Sequence, residues 1–238
     1  MITSGLANMI GNCIGGGGTG GGATPFSNLY SLEFDGVDDM VPLASSVNMG
    51  QAGSLSFWFK RSGGAGTIMG EDSYPFKYLL YISGNNLYFR AGGSFLLFNN
   101  TATTTALNTT DWVHLVITRD VSATDLKLYV DGALTQTHTT ANPNDMKLGG
   151  IGGVPAMTFS GVACKIDEVS CYDAILDATA VSNIYNSGTP TDLTGTSNLI
   201  AWYRDGDGDT FPIISDHAGS NNGTMTNMLV GNIITDVP

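Results

Sequence analysis

The run Leu126-Lys-Leu-Tyr-Val130, Asp131-Gly132, Ala133-Leu-Thr-Gln-Thr137 has the sequence pattern of a β-hairpin. Apolar and polar residues alternate on both sides of the Asp-Gly pair, and a period of two is that of a strand with one buried face. Asp-Gly suits the tight turn of a hairpin, because both of its residues tolerate positive φ. This run therefore predicts two antiparallel strands joined by a two-residue turn.

The same pattern recurs toward both ends of the chain. Residues 78–82 and 87–90, separated by Gly84-Asn85-Asn86, predict a second hairpin. Further strands are predicted at 30–34, 54–60 and 112–118. Strands at this spacing, with turn residues between them, are typical of an antiparallel sandwich or jelly roll. One helix is predicted, with Asp177 as its N-cap and Tyr185 near its end.

The composition of the 238-residue chain favours an all-β fold. Charged residues make up 13 %, about half of the usual 25 %, and 18 of the 21 acidic residues are aspartate. The 32 glycines and 26 threonines favour turns and strands, whereas straight-chain helix formers are scarce. The net charge of −12 argues against nucleic acid as a partner, because phosphate binding needs clustered lysine and arginine. No apolar run approaches the roughly 18 residues of a membrane span.

The three cysteines are interpreted as free thiols. Cys13, Cys164 and Cys171 are odd in number and lack the spacing of a disulfide framework or a zinc site. Cys164 and Cys171 are seven residues apart, so on one regular strand they are expected to face opposite sides.

The N-terminal residues differ from the rest of the chain. Residues 1–14 carry an apolar stripe at heptad-like spacing and no charge, and residues 15–27 form a Gly-rich linker. We predict an anchor arm that becomes ordered against a partner surface, the alternative being a frayed terminus. Residues 28–238 are predicted to form one domain. The stripe consists of Ile2, Leu6, Met9, Ile10, Cys13 and Ile14.

Several landmarks resemble those of one fold family. Ser31-Leu-Glu-Phe-Asp-Gly-Val-Asp-Asp-Met-Val41 is similar to the opening strand of laminin-G-like domains of the concanavalin A-like lectin/glucanase superfamily. Residues 54–60, 112–119 and 126–132 resemble the next landmarks in the same order. Lys165-Ile-Asp-Glu-Val169 and the predicted helix resemble the closing elements. The resemblance covers about 31–190 and implies a two-sheet antiparallel jelly-roll sandwich. Arm, body and tail together also resemble structural proteins of marine bacteriophages.

The segment 198–228 is expected to supply closing strands. Leu199-Ile-Ala-Trp-Tyr203 and the residues up to Met225 resemble a stretch that precedes the opening strand in related domains, so the order is permuted here. We expect 199–203 to pair beside the strand that begins at Tyr30. Strand alternation then places Trp202 in the core and Tyr203 outward or at the rim.

The residues needed for hydrolysis are missing from the sequence. The related glucanases use a Glu-x-Asp-x-Glu strand, which presents paired carboxylates on one face, and none of the three glutamates here has that spacing. Asp167 and Glu168 are adjacent and are expected to point to opposite faces. The three histidines lie near no nucleophile motif, and His114, within an apolar strand, is interpreted as a core residue. We therefore predict no enzymatic activity.

Calcium is the cofactor that the aspartates favour, since carboxylates and turn carbonyls suit a hard cation. The resemblance implies a cation shared by Asp167 and the Asp35-Gly36 turn, the alternative being ordinary turn and hydrogen-bonding roles. A weaker candidate is Asp205-Gly-Asp207-Gly-Asp209, which lacks the bidentate glutamate of an EF-hand. For that segment a solvated acidic turn is the favoured interpretation.

Two functions are compatible with these patterns. The first is a non-enzymatic virion surface protein, either a capsid decoration or a tail or fibre component, which the arm anchors to other virion proteins and which is homo-oligomeric. The second is a glycan-binding adhesin that attaches to host surface polysaccharide. Tyr81 and Tyr88 flank a hairpin turn and are the candidate sugar contacts. The three tryptophans lie on predicted strands and are interpreted as core.

Overall fold

The computed structural model describes residues 26–71, 78–91, 95–154 and 161–238. The predicted anchor arm at 1–14 and the linker up to residue 25 lie outside the described residues.

The described part of the chain is built mainly of short strands with two α-helices. The helices are α1 (Thr101–Ala106) and α2 (Ala178–Tyr185), and a 3-10 turn covers Val230–Asn232. In chain order the strands are β1 (Ser31–Asp35), β2 (Val41–Gly50), β3 (Ala52–Gly63), β4 (Gly66–Gly70), β5 (Tyr78–Ser83), β6 (Asn86–Phe89), β7 (Leu96–Phe98), β8 (Val113–Asp120), β9 (Asp125–Val130), β10 (Ala133–Thr139), β11 (Met146–Ile151), β12 (Ala163–Tyr172), β13 (Leu199–Tyr203), β14 (Ile213–Ile214), β15 (Gly223–Thr224) and β16 (Ile233–Ile234).

These strands form two antiparallel sheets that pack face to face, which confirms the predicted all-β sandwich. Among the described residues, the first sheet has the order β10-β9-β8-β3-β12-β1-β16, and β13 also pairs with β12. The second sheet has the order β14-β15-β2-β11-β4-β5-β6-β7. Alternate residues of each strand enter one apolar core between the sheets, for example Leu55, Phe57 and Phe59 of β3.

Both predicted hairpins are present. Asp131 and Gly132 have φ values of 49° and 77°, the positive values that a type I′ turn requires, and they join β9 to β10. The predicted helix is also present as α2, and the Asp177 carboxylate accepts the Ala180 N–H at 2.8 Å. Helix α1 was not predicted, because its sequence is rich in threonine, a weak helix former.

A second apolar layer covers the outer face of the first sheet. Helix α2 contributes Val181 and Ile184, which cluster with Tyr172 and Trp202. Strands of the first sheet are therefore buried on both faces in this region. A residue that points to the outer face here, such as Trp202, is therefore covered by this layer and not by solvent.

The segment after α2 completes both sheets, but not with the expected pairing. β13 pairs with β12, Tyr203 lying opposite Val169, and the strand beside β1 is β16. Tyr203 is 0 % exposed in the main core, whereas Trp202, 3 % exposed, belongs to the outer layer. Trp202 is buried as predicted, although in the outer layer, whereas the predicted exposure of Tyr203 was wrong, because it assumed that the outer face is solvated.

A β-bulge in β12 changes which of its residues face the core. The pairing with β3 shifts between Asp167 and Ser170, and Glu168 has a φ of 53°. Cys164 precedes the bulge and Cys171 follows it, and both are buried in the main core. The expectation that these cysteines face opposite sides was wrong, because it assumed a regular strand.

The C-terminal tail is fastened to the outer face of the first sheet. The Asp236 carboxylate accepts hydrogen bonds from Lys60, Lys165 and the Trp112 indole, and its backbone carbonyl accepts one from Ser31. Burial opposes ionisation of this carboxyl, but these donors outweigh it and lower the pKa of Asp236 to about 2.

Candidate functional site

The structure does not bring Asp35 and Asp167 together. Asp35 pairs with Ala163, and Asp167 lies four positions further along β12. At about 3.3 Å per residue this separates the two residues by roughly 13 Å. The predicted shared cation was wrong because the motifs alone do not specify the register between β1 and β12.

Asp35 and Gly36 instead form a hydrogen-bonded turn. Asp35 Oδ1 accepts the Val37 N–H at 2.7 Å, and Asp39 Oδ2 accepts the Asp35 N–H at 3.0 Å. Gly36 has a φ of 79°, and a Cβ there would lie 2.5 Å from the Ala163 nitrogen. The Asp35, Asp38 and Asp39 carboxylates lie within 4.8 Å of one another, the tightest such group in the described ranges. Their hydrogen bonds fit the alternative role, that of turn residues.

A different set of acidic residues is buried at the edge of the second apolar layer. It comprises Asp167 and Glu168 from the β12 bulge and Asp205 and Asp207 from the loop after β13, and we call it the buried acidic cluster. Asp205 is 0 % exposed and Asp207 is 5 % exposed. The favoured interpretation of this loop as a solvated turn was therefore wrong.

The bulge explains why Asp167 and Glu168 share this cluster. Cys164 and Ile166 point into the main core before the bulge, and Val169 and Cys171 do so after it. The two acidic residues between these pairs both remain outside the main core. The expectation that they point to opposite faces was wrong for the same reason as for the cysteines.

Most carboxylates of this region have protein partners. Glu168 accepts hydrogen bonds from the Trp202 indole and from Arg204 Nε, the latter at 3.2 Å. Asp207 Oδ2 accepts the N–H groups of Leu29 and Tyr30 at 2.8 and 3.1 Å. Asp209, half-buried, accepts the N–H groups of Gly206 and Ser215 and so braces its own loop.

Four buried oxygens of the cluster region have no such partner. Asn28 donates through Nδ2 to Asp167 Oδ2 at 2.8 Å. Asn28 Oδ1, Asp167 Oδ1 and both carboxylate oxygens of Asp205 are buried without a hydrogen bond of normal geometry. Burying such groups without a partner is costly, and native proteins rarely do so. All four are hard oxygen donors of the kind that calcium prefers.

The electrostatics of the cluster agree with this interpretation. Burial raises the pKa of Asp167 well above its ordinary value, and repulsion from Glu168 and Asp205 adds to the shift. Burial likewise raises the pKa of Asp205, with further repulsion from Asp209. The pKa of Glu168 rises to about 7 through burial, although Arg204 opposes the shift. A bound cation would remove these penalties.

Tyr81 and Tyr88 lie side by side on the outer face of the second sheet. They are cross-strand partners of β5 and β6, and their ring centroids are 6.1 Å apart. Phe95 continues the row, with its ring 6.1 Å from that of Tyr88 and 44 % of its surface exposed. The Arg90 guanidinium lies 5.1 Å from the Phe95 ring centroid. We call Tyr81, Tyr88 and Phe95 the aromatic row.

The remaining candidates are structural. Trp58 is buried against His114, with centroids 4.9 Å apart. His114 is 1 % exposed and bonds to Ser56 Oγ at 2.8 Å, and burial lowers its pKa to about 3. The imidazole therefore stays neutral in the folded protein. Glu33 lies on β1, Glu168 lies on β12, and Glu71 follows β4 of the other sheet, so no two of the glutamates share a strand.

Neither helix of the described residues is long and apolar enough to cross a membrane.

The fold has counterparts among solved structures. A proposed carbohydrate binding protein from Bacteroides ovatus ATCC 8483 superposes with a TM-score of 0.68 at 17 % identity over 91 % of this chain. This chain spans 62 % of the length of that protein. The native heptameric SAP-like pentraxin from Limulus polyphemus superposes with a TM-score of 0.55 at 12 % identity over 83 % of this chain and 95 % of the pentraxin. These identities show a shared fold.

Sequence comparison gives the family. No curated protein matches the chain. Residues 35–182 match the model of the Laminin_G_3 domain, described as the concanavalin A-like lectin/glucanases superfamily. That match covers more than half of the chain and includes strands of both sheets. The protein therefore belongs to the concanavalin A-like lectin/glucanases superfamily.

Proposed function

We propose that this protein is a glycan-binding module that contacts a polysaccharide through the aromatic row. The observation that carries the proposal is the row of three neighbouring rings on the second sheet, of which Phe95 is exposed and Tyr81 and Tyr88 are half-buried. Helix α2 covers part of the outer face of the first sheet, whereas Tyr81, Tyr88 and Phe95 lie next to one another on the outer face of the second sheet. Aromatic faces bind the apolar C–H surface of sugar rings, and tyrosine adds a hydroxyl for hydrogen bonding.

The superfamily supports this proposal at the level of the fold. The Bacteroides protein is described as carbohydrate binding, and we extend that property to this chain as part of the proposal. The absence of a Glu-x-Asp-x-Glu strand from the sequence supports binding without hydrolysis.

The test is affinity electrophoresis against a panel of soluble glucans, xylan, mannan and alginate. Each tyrosine is replaced in turn, as Tyr81→Ala and Tyr88→Ala, and Leu134→Ala serves as an exposed apolar control on the first sheet. We expect retardation by at least one polysaccharide and a loss of about tenfold in affinity for each tyrosine variant, which corresponds to about 1.4 kcal/mol. No retardation of the wild type, or equal retardation of all variants, would contradict the proposal.

Calcium enters the proposal as a structural ion in the buried acidic cluster. Asn28, Asp167 and Asp205 would hold it through their unpartnered oxygens. When bound, the ion neutralises the buried carboxylates. Asn28 then fastens the segment 26–30 to the first sheet. Titration of chelator-treated protein in a calorimeter tests this point, with Ca²⁺ expected to bind and Mg²⁺ to bind more weakly because it demands a smaller octahedral site. Absence of Ca²⁺ binding would contradict it.

Display on a virion surface through the arm at 1–14 is a further proposal, as is homo-oligomerisation. It is supported by the contrast between an uncharged apolar arm and a body that carries all the net charge of −12. Deletion of the arm, described in the Discussion, tests it.

A further inference from the structure

A pocket lies on the outer face of the first sheet, beside the buried acidic cluster. Its volume is about 300 Å³, at the lower end of the range for small-ligand sites. This size suits a single ring better than a polymer segment. Its walls include Phe26, Asp192, Thr194, Trp202, Arg204 and His217.

The aromatic side of the pocket is rigid. The Trp202 indole lies beneath the pocket, 3 % exposed, stacked on Phe26 with centroids 6.4 Å apart and with the Arg204 guanidinium 5.5 Å from its own centroid. His217 stands edge-to-face to the same indole at 5.8 Å, and its side chain is exposed. The Trp202 N–H is fixed by Glu168 and its backbone N–H by Asp216. This wall therefore does not need to reorganise to accept a ligand, which lowers the cost of binding.

The polar side of the pocket offers a donor and an acceptor. Arg204 uses Nε on Glu168 and Nη2 on the Ser27 carbonyl, which leaves Nη1 without a hydrogen bond to the described part of the chain. Asp192 is exposed, and its Oδ1 accepts the Thr194 N–H at 2.9 Å. A guanidinium beside a carboxylate matches adjacent hydroxyls, because each hydroxyl both donates and accepts.

The charge around the pocket disfavours an acidic ligand. Arg204 is the positively charged residue among those that line the pocket. Its guanidinium lies 3.2 Å from the Glu168 carboxylate and 3.8 Å from that of Asp207, and Asp192 lines the same pocket. The positive charge is therefore already compensated, and an added anion would meet several carboxylates. A neutral polyhydroxylated ring avoids this repulsion and still satisfies both polar groups.

We propose that this pocket binds one neutral pyranose, held by Asp192 and Arg204 at adjacent hydroxyls and by the exposed ring of His217 at its apolar face. The site shares no residue with the aromatic row and lies on the opposite sheet. The pocket is therefore separate from the proposed polysaccharide contact, and an experiment can contradict one of the two sites without contradicting the other.

Saturation-transfer difference NMR on the full chain tests the proposal. The probes are the methyl glycosides of glucose, galactose and mannose, with glucuronate and glucosamine as charged comparators. Asp192→Ala and His217→Ala alter the pocket rim without touching the buried acidic cluster. Asp173→Ala, another exposed aspartate, is the matched control, and Tyr88→Ala reports on the aromatic row.

We expect at least one neutral glycoside to bind with a Kd of about 1 mM. Asp192→Ala and His217→Ala each weaken that binding tenfold or more, whereas Asp173→Ala and Tyr88→Ala leave it unchanged. The pocket proposal is overturned if no neutral glycoside binds, if a charged comparator binds more tightly, or if the rim variants bind like the wild type. Loss of binding in Tyr88→Ala alone assigns the sugar to the aromatic row and also overturns it.

Discussion

The substitution Asp205→Asn has opposite effects on the metal-free and calcium-bound protein if the buried acidic cluster holds calcium. Both carboxylate oxygens of Asp205 are buried without a hydrogen bond of normal geometry, and the Val169 N–H only partly offsets the effect of burial, which raises the pKa of this carboxyl. In chelator, the uncharged amide relieves part of that penalty, which for a buried unsatisfied group is about 1–3 kcal/mol. A domain of this size gains about 2–4 °C in melting temperature for each kcal/mol. We therefore expect the variant to melt several degrees above the wild type in chelator.

Calcium reverses the order. An ion present at 100 times its Kd stabilises the wild type by about 2.7 kcal/mol, because it binds only the folded state. That energy corresponds to a rise of about 5–11 °C. Asp205→Asn removes the negative charge of this ligand and replaces one of its two oxygens by an NH₂ group, so we expect its melting temperature to respond less to calcium than that of the wild type. In calcium the wild type becomes the more stable protein.

Differential scanning calorimetry in EGTA and in millimolar CaCl₂ measures all four melting temperatures. Asp173→Asn, an exposed aspartate near the same sheet, is the control for a general effect of charge. A wild type that melts at the same temperature with and without calcium refutes the reasoning. So does a variant that keeps the full calcium response, since Asp205 would then not be a ligand.

Three further predictions concern other parts of the chain. The pKa of His114 is about 3 in the folded protein and near 6.5 in the unfolded chain. The stability that the buried neutral imidazole allows is therefore fully present above pH 6.5 and is lost as the pH falls toward 3. Urea unfolding should show that the wild type loses about 2–3 kcal/mol relative to His114→Gln between pH 6.5 and 4.5, because the opposing titration of the buried carboxyls is common to both proteins. Asp236→Asn should cost about 1 kcal/mol at pH 7 after screening of this partly exposed carboxyl. Because the pKa of Asp236 is lowered to about 2, urea titrations should show that difference fading as the pH falls from 3.8 through 2. Deletion of residues 1–22 should leave the melting temperature unchanged but keep the protein in the supernatant when virions are sedimented; co-sedimentation of the deleted protein would contradict the arm proposal.

The hairpins could be predicted from the sequence because their signals are local. Asp131-Gly132 fixes its turn through two positive φ values, whichever elements surround it. The alternation on each side then determines which residues face the core. The Asp177 cap of α2 is local in the same way. These elements needed no knowledge of the rest of the chain.

The β12 bulge could not be predicted, because its extra residue carries no sequence signal. Glu168 adopts a positive φ. A glycine or asparagine at this position would have indicated such a conformation in the sequence, whereas a glutamate does not. One inserted residue reverses the alternation that follows it, as happens in any register shift. The orientation of Cys171 and the shared location of Asp167 and Glu168 both follow from that single residue.

The burial of Asp205 depends on contacts that are distant in the chain. Leu29 and Tyr30 cover the loop after β13 through their bonds to Asp207, across 178 and 177 residues. The aspartate-glycine repeat has the composition of an exposed turn, and its burial becomes evident only when Leu29 and Tyr30 are seen to pack on it. This conflict between a polar local sequence and a buried location typically marks a functional site. Asp167 from one predicted metal candidate therefore lies in the same buried cluster as Asp205 and Asp207 from the other, where the bulge and the 26–30 segment meet on the outer face of the first sheet, whereas Asp35 lies apart.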